Sequence, residues 1–600
     1  MKMNSKIAIV AVLTAALSPS LSHATKTTPT KETAILSEAQ VDSILADSMK
    51  IHFAPDISHL SKAERKTLYY LVQTGHILHD LYLNAQHKDA LQQKTVLQEL
   101  AAKGNKEAEK RLTLYRIFKG PIATTPDNKR VPFVAADKPG PGKNRYAWGL
   151  TKEKLDAFLK EYPQLEADIF DLRSLVRANT PDNIKKDLSA LKKYPVLDTL
   201  HPLLKDKLEQ AKNNPQQRLY AVPYSVAYAD DIMKAYELLQ KASRTIASTD
   251  KDFADYLANR SRDLLSDDYE SGDASWVTGS FGNLNAQIGS YETYDDALLG
   301  VKSAFSMSIL IKDRERSAKL ANSISDLQEI ENSLPYEHHK KVRSDIPIGV
   351  YHVYADFGQA RGTNTASILP NESRFARKYG RIILMRYNVL TNPTIVNSAK
   401  TIWKAVVAEP FANDLTGQSN YIRTMWHEIG HYMGPSLDKQ GRTLDVAMQD
   451  NANLLEEMKS DLVSLHSAAF LHDKGVHDDA TLRSVYAGGI MRTLQRVKPR
   501  RSQPYQTMQL MTFNFFREQG VISFDADSGL SIDYEKYPQA VTKLLAKLLD
   551  IQYQGDKQAA DDFIEQYSHW DESVHGAIAK RISDTKQPRY RIVSYEALGE

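Results

Sequence analysis

Residues 424–434 read TMWHEIGHYMG, and this stretch constrains the fold more than any other. His427 and His431 stand four apart. On a helix that spacing puts both imidazoles on one face, one turn from each other, where they can grip a single ion. Glu428 follows the first histidine, the position from which an HExxH carboxylate reaches the attacking water rather than the metal. Gly434 and Pro435 supply a helix stop just beyond. A catalytic zinc usually has three protein ligands and one open position, so a second element must return to this helix with a third donor. The chain has no cysteine. Thiolate zinc sites, disulfide stapling, cysteine nucleophiles and iron–sulfur ligation are therefore excluded, and the third donor must be His, Asp or Glu.

Residues 453–465, NLLEEMKSDLVSL, offer that donor. Leu455, Met458, Leu462 and Leu465 form an apolar stripe at helical spacing. Glu457 and Asp461 lie beside the stripe, four residues apart on one face. A carboxylate next to a buried stripe needs a partner, and a metal or a metal-bound histidine is one. Glu457 comes 26 residues after His431, enough for a loop and a return helix. We assign Glu457 as the third ligand, and Glu456 and Asp461 as the groups that orient the histidines. The same pattern also reads as a solvated acidic face paired with Lys459. The HExxH pentapeptide alone also reads as a surface helix with two ordinary histidines.

The rest of the chain has a recognisable order. Lys2 and Lys6, an apolar run over residues 7–17, and the small-x-small triplet Ser22-His23-Ala24 predict a signal peptide over residues 1–24. The run is shorter than the roughly 20 residues a membrane span needs. We therefore expect cleavage and export, to a periplasm or beyond the cell, over an uncleaved anchor. No later segment reaches spanning length, so no stable membrane insertion is expected after cleavage. The formal charge is +3, and without Lys2 and Lys6 it is about +1. Such a balance argues against nucleic acid as a partner, which needs a concentrated basic surface. Residues 151–215, 225–268 and 395–520 carry helical patterns, as does the early stretch 60–86. Residues 347–354 and 381–387 are the best strand candidates. The class is mostly α with a minor β part (α+β).

Here the sequence resembles a known family. HEIGH followed by LLEEMKSDL looks like the zinc site of the dipeptidyl-peptidase III group, peptidase family M49, and especially its bacterial branch. Further segments resemble the family in the expected order: RLYAVPYS (218–225), SDDYESGDASW (266–276), IGSYETYDD (288–296), GTNTASILPNE (362–372) and NFFREQG (514–520). The resemblance implies two lobes around a wide cleft. One lobe is helical and bears zinc, and the other is mixed with a β-barrel-like core. On that template residues 25–390 form mainly the mixed lobe with its N-terminal helices. Residues 391–525 form the zinc lobe, and 526–600 a helical segment and tail returning to the mixed lobe. One zinc ion per chain is implied on His427, His431 and Glu457, with Glu428 as general base. Asn371 matches a position that holds substrate backbone. The implied activity is release of dipeptides from the N-termini of oligopeptides.

The chain departs from the family at several places. The best-known members have one more residue between the two histidines. A family tyrosine is replaced by Gln287, and a family asparagine by Ile368. A family histidine of the late helical segment falls near Tyr505. Tyr505, Arg496 and Arg501 come after the site in the chain and are candidates to stabilise the oxyanion or hold the peptide. Tyr505 also reads as a packed aromatic, and the arginines with Lys498 and Arg500 as a solvated basic patch. Two other functions stay open: a zinc hydrolase of another amide or of a cell-wall peptide, and a non-catalytic zinc- or peptide-binding relative.

Overall fold

The computed structural model describes residues 35–600 except 128, 325–326, 343–345, 371 and 502, and leaves out the side chains of 322–323, 373 and 376–377. The segment expected to be a signal peptide, residues 1–24, thus lies outside the described residues. Helix accounts for 56% and strand for 14%, which makes the chain mostly α. No helix among the described residues is long and apolar enough to cross a membrane.

Two large hydrophobic cores organise the chain. One draws on residues 49–389 together with Val593 and Tyr595, the other on residues 320–582. The strand Ile382–Arg386 is buried along its whole length and stands between them. Ile382 and Leu384 pack into the first core, Ile383 and Met385 into the second. Successive side chains of a strand point to opposite faces, so one short strand serves both cores.

That strand belongs to a five-stranded sheet with the order Leu284–Ser290, Phe305–Lys312, Ile348–Gly358, Ile382–Arg386, Ala366–Leu369. Ile348–Gly358 and Ile382–Arg386 run parallel, and the other pairings are antiparallel. The expected barrel-like core is corrected here. The outer strands Leu284–Ser290 and Ala366–Leu369 do not pair with each other, so the sheet is open. Helices do the covering that closure would do. Lys62–Gln86 lies across Phe305–Lys312 and Ile348–Gly358, and Lys251–Ser266 packs on Leu284–Ser290. A sheet covered in this way buries its apolar side chains without curling shut. Lys62–Gln86 starts where Ser61 and Glu64 form a reciprocal capping box.

The chain end returns to the first core. Tyr590–Tyr595 pairs in parallel with Ser48–Phe53, Ser48 opposite Tyr590 and Phe53 opposite Tyr595. The second core is a helical assembly around Ala452–Asp473. Packed against this central helix are Ser419–Gly430, Asp479–Thr493, Pro504–Glu518 and Tyr537–Gln554.

Candidate metal centre

The helix Ser419–Gly430 carries His427 and Glu428, and His431 caps its C-terminal end with helical dihedrals, φ −63° and ψ −20°. The i, i+4 relation of the two imidazoles is thereby kept. Trp426 and Ile429 anchor the helix in the second core. Two glycines shape the end of this helix and the loop beyond it. A Cβ on Gly430 would lie 3.1 Å from the Ser460 carbonyl oxygen, so a bare Cα lets the two helices approach here. Gly434, at φ +75°, turns the chain away in a conformation that side chains disfavour. Its N–H donates to the buried Glu331 carboxylate at 2.9 Å, which ties down the loop after His431.

Across from this helix, Ala452–Asp473 presents Glu456, Glu457 and Asp461. Asp461 Oδ1 lies 2.7 Å from His427 Nδ1, and Glu456 Oε1 lies 2.8 Å from His431 Nδ1. Each carboxylate accepts an Nδ1 proton, which turns Nε2 of both rings toward Glu457. The rings are nearly perpendicular, with centroids 5.0 Å apart. Glu457 Oε2 stands 3.3 Å from His427 Nε2 and 4.0 Å from His431 Nε2. This oxygen is buried. One donor atom from each of His427, His431 and Glu457 lies within 4.8 Å of the others. Two imidazole nitrogens and a carboxylate oxygen converging at these distances make a donor set that fits a metal, which would take the place of the proton His427 Nε2 holds toward Glu457.

The surrounding charges keep the carboxylates of the set ionised. Burial alone would raise the Asp461 carboxyl, but Arg492, Arg423 and His427 hold it well below the usual carboxylate range. Glu456 likewise resists burial, with Lys459 and His431 keeping it ionised. Burial alone would lower the His427 imidazole, yet Asp461 lifts it to about 9, so a metal must displace a proton to bind there. Glu457 is held below its ordinary value, chiefly by His427 against the pull of burial.

The structure also places the other expected site residues. Tyr505, in the first turn of Pro504–Glu518, donates to Glu457 Oε1 at 2.9 Å. Burial and the Glu457 charge push its phenol up, so it stays a donor. Glu428 is half-buried, and its charge acts on His427, Arg423 and Tyr505. Arg501 donates to Asn451, at the start of the central helix. Arg496 is exposed, and its charge acts on Arg591 of the C-terminal strand. Asn371 lies outside the described residues. Gln287 is buried in the sheet and accepts from Arg386 at 3.2 Å, while Ile368 pairs with Ile383 and packs on the second core.

Sequence reasoning missed Arg423, Arg492 and the burial of Lys459. Arg423 Nη1 donates to Asp461 Oδ1 at 2.8 Å and Arg492 Nε to Asp461 Oδ2 at 2.5 Å. Lys459 is 1% exposed and bonds the Met433 carbonyl and Glu456. Arg423 could have been found, because it precedes His427 by one helical turn. Arg492, from a third helix, left no signal.

The comparisons with known proteins meet this geometry. The structure of DPP III from Caldithrix abyssi matches with a TM-score of 0.77 and 23% identity, over 93% of this chain and 99% of that one. The chain has the dipeptidyl-peptidase III fold. Dipeptidyl-peptidase III from Corallococcus sp. strain EGB matches with a TM-score of 0.73, again at 23% identity, over 94% of this chain and 99% of that one. The two-lobed dipeptidyl-peptidase III fold accounts for the two hydrophobic cores. Nudix hydrolase 3 of Arabidopsis thaliana is 29% identical over 356 residues, 58% of this chain. That match spans 46% of the plant protein, less than half its length. No family model matches the chain.

Proposed function

We propose that the chain is an exported zinc peptidase that releases N-terminal dipeptides from oligopeptides. The observation that carries this reading is the convergence of His427 Nε2, His431 Nε2 and the buried Glu457 Oε2, with Glu428 next to the first histidine, inside a dipeptidyl-peptidase III fold. Two imidazoles and one carboxylate suit zinc. When bound, zinc would polarise the scissile carbonyl and bring the pKa of a water down to about 7. Glu428 takes the proton of the attacking water and hands it to the leaving amine. Asp461 and Glu456 keep the two imidazoles oriented and their Nδ1 protons in place. Tyr505 gives its hydroxyl proton to Glu457 Oε1 and so fixes which carboxylate oxygen faces the two histidines. Asn371 would hold substrate backbone, as the family resemblance implies.

The test is a mixed peptide library, read by mass spectrometry with the zinc-loaded mature protein and with Glu428→Gln. Products shortened by two N-terminal residues, absent with the variant, are expected. An uncut library sinks the reading. The second reading, hydrolysis of another amide or a cell-wall peptide, is favoured by Gln287, which is spent on Arg386 where the family has a tyrosine. Cell-wall fragments in the same assay separate the two. Export is checked apart from activity: the protein recovered outside the cytoplasm should have an intact mass beginning at residue 25.

A further inference from the structure

One helical turn from the metal ligands lies a cavity of about 290 Å³. Val396, Ala399 and Met491 are among its apolar lining residues, and Thr416, Asn420, Arg423, Arg492 and Gln509 are its polar ones. Arg423 is fully committed there. Its terminal nitrogens donate to Asp461 at 2.8 Å, to Thr424 at 3.2 Å and to Asn420 at 3.3 Å. Arg492 spends only Nε, on Asp461. Among the described residues its two terminal nitrogens make no hydrogen bond. Asp461 accepts no hydrogen bond from them. Oδ1 already serves Arg423 and His427, and Oδ2 serves Arg492 Nε. Two guanidiniums thus share hydrogen bonds with one carboxylate, while Glu457 acts on Arg492 only through its charge, and the terminal nitrogens of Arg492 are left without a hydrogen-bond partner among the described residues. Glu428, whose charge also reaches Arg423, is not among the residues that line it.

We propose that this cavity is a specificity subsite for an acidic side chain of the substrate, one to two residues from the bond that is cut. The proposal rests on the peptidase reading. Asn420, Arg423 and His427 share one face of their helix, and Arg423 lies about 6 Å from His427 along the axis. An extended peptide advances about 3.3–3.6 Å per residue. A chain with its scissile carbonyl at the metal therefore brings a side chain one or two residues away to the cavity. The apolar wall suits the methylenes of Glu or Asp, and the free nitrogens of Arg492 suit the carboxylate, which a guanidinium can hold with two parallel bonds. The volume is at the small end for ligand pockets, which usually hold about 300–1,000 Å³. One side chain fills it better than a free metabolite.

The test uses matched peptides with Glu or Gln at each of the two positions on either side of the scissile bond. For the zinc-loaded protein, one position should show Glu favoured about 10- to 100-fold in kcat/KM, the discrimination of one charged hydrogen bond, with the difference carried by KM. Arg492→Gln, which removes the charge, and Ala399→Phe, which fills the cavity, should each bring the ratio to near one. Calorimetry of the same peptides with Glu428→Gln, with and without Ala399→Phe, reads binding apart from turnover. No Glu preference at any position, or one that survives both variants, overturns the subsite. If nothing is cut but the Glu peptide binds more tightly and loses that advantage with Ala399→Phe, the peptidase reading falls and the subsite stands. Equal binding of both peptides overturns the subsite whatever is cleaved.

Discussion

Tyr505 donates to Glu457 Oε1, the oxygen opposite the one that faces His427 and His431. The bond fixes which carboxylate oxygen is left for a metal. Tyr505→Phe should therefore lower zinc affinity about tenfold, the low end for loss of a group that orients a ligand. At saturating zinc its kcat should stay within about tenfold of the parent. Zinc competition with a chromogenic chelator, then kinetics at saturating zinc, checks both. A fall of about 100- to 1000-fold at saturating zinc, with affinity intact, would instead make Tyr505 the oxyanion donor.

Asp461 is held by Arg423, Arg492 and His427 at once. Asp461→Ala leaves Arg423, 5% exposed, without its carboxylate. Breaking such a buried pair costs about 3–5 kcal/mol, and zinc affinity should fall about 10- to 100-fold. Adding Arg423→Met should recover much of the stability and none of the affinity. Urea melts beside zinc titrations separate the two effects. Full recovery of affinity in the double variant would show that Asp461 acts only through the arginine.

Much of this centre is legible in the sequence because helical spacing is local information. His427, His431 and Glu428 lie within one turn and a half, and Glu456, Glu457 and Asp461 accompany an apolar stripe that marks the buried face. The pairing of Asp461 with His427 and of Glu456 with His431 needs only the two helices to meet. The contacts that cannot be read come from elements distant in sequence. Arg492 arrives from a third helix, and Glu331 reaches Gly434 from 103 residues upstream. Lys459 reads as a surface cation, yet its helix position places it under the Met433 carbonyl. The fold shows the same division. The strand Ile382–Arg386 is expected from its apolar run. Ser174–Ala178, inside a stretch that reads as helical, is a five-residue strand whose partner Leu219–Pro223 lies some forty residues on. The openness of the sheet depends on which helices cover it, and no local pattern records that.

Zinc bound only by the folded chain must stabilise it. Removing metal with a chelator should lower the melting temperature, and added zinc should restore it. At zinc 100-fold above its dissociation constant the gain is about 2.7 kcal/mol. Glu457→Gln should melt at one temperature with or without zinc, because it lacks the carboxylate of the donor set. A zinc-induced shift that persists in Glu457→Gln would place the stabilising ion elsewhere. Scanning calorimetry of both proteins decides the matter.

A pH effect should come from a residue far from the metal. Burial pushes the Asp267 carboxyl up to about 7, against the Ser225 N–H and hydroxyl, which pull it down. Arg173 also pulls it down, and Asp171 pushes it up. The His201 imidazole lies 4.0 Å away. A carboxyl whose folded pKa is raised binds its proton more tightly in the folded state than in the unfolded one. Its contribution to stability is complete below about 4 and is lost as pH rises through about 7. Asp267→Asn removes that titration. Asn tolerates the left-handed backbone found here, φ +57°, and its carbonyl can still accept from Ser225 N–H, which now bonds Asp267 Oδ2 at 2.9 Å. The variant should match the parent at pH 4 and melt higher at pH 8, the gap opening between those values. Melting curves at half-unit pH steps provide the check. A gap that is constant with pH would mean that Asp267 is ionised throughout and that its burial is relieved by the residues around it.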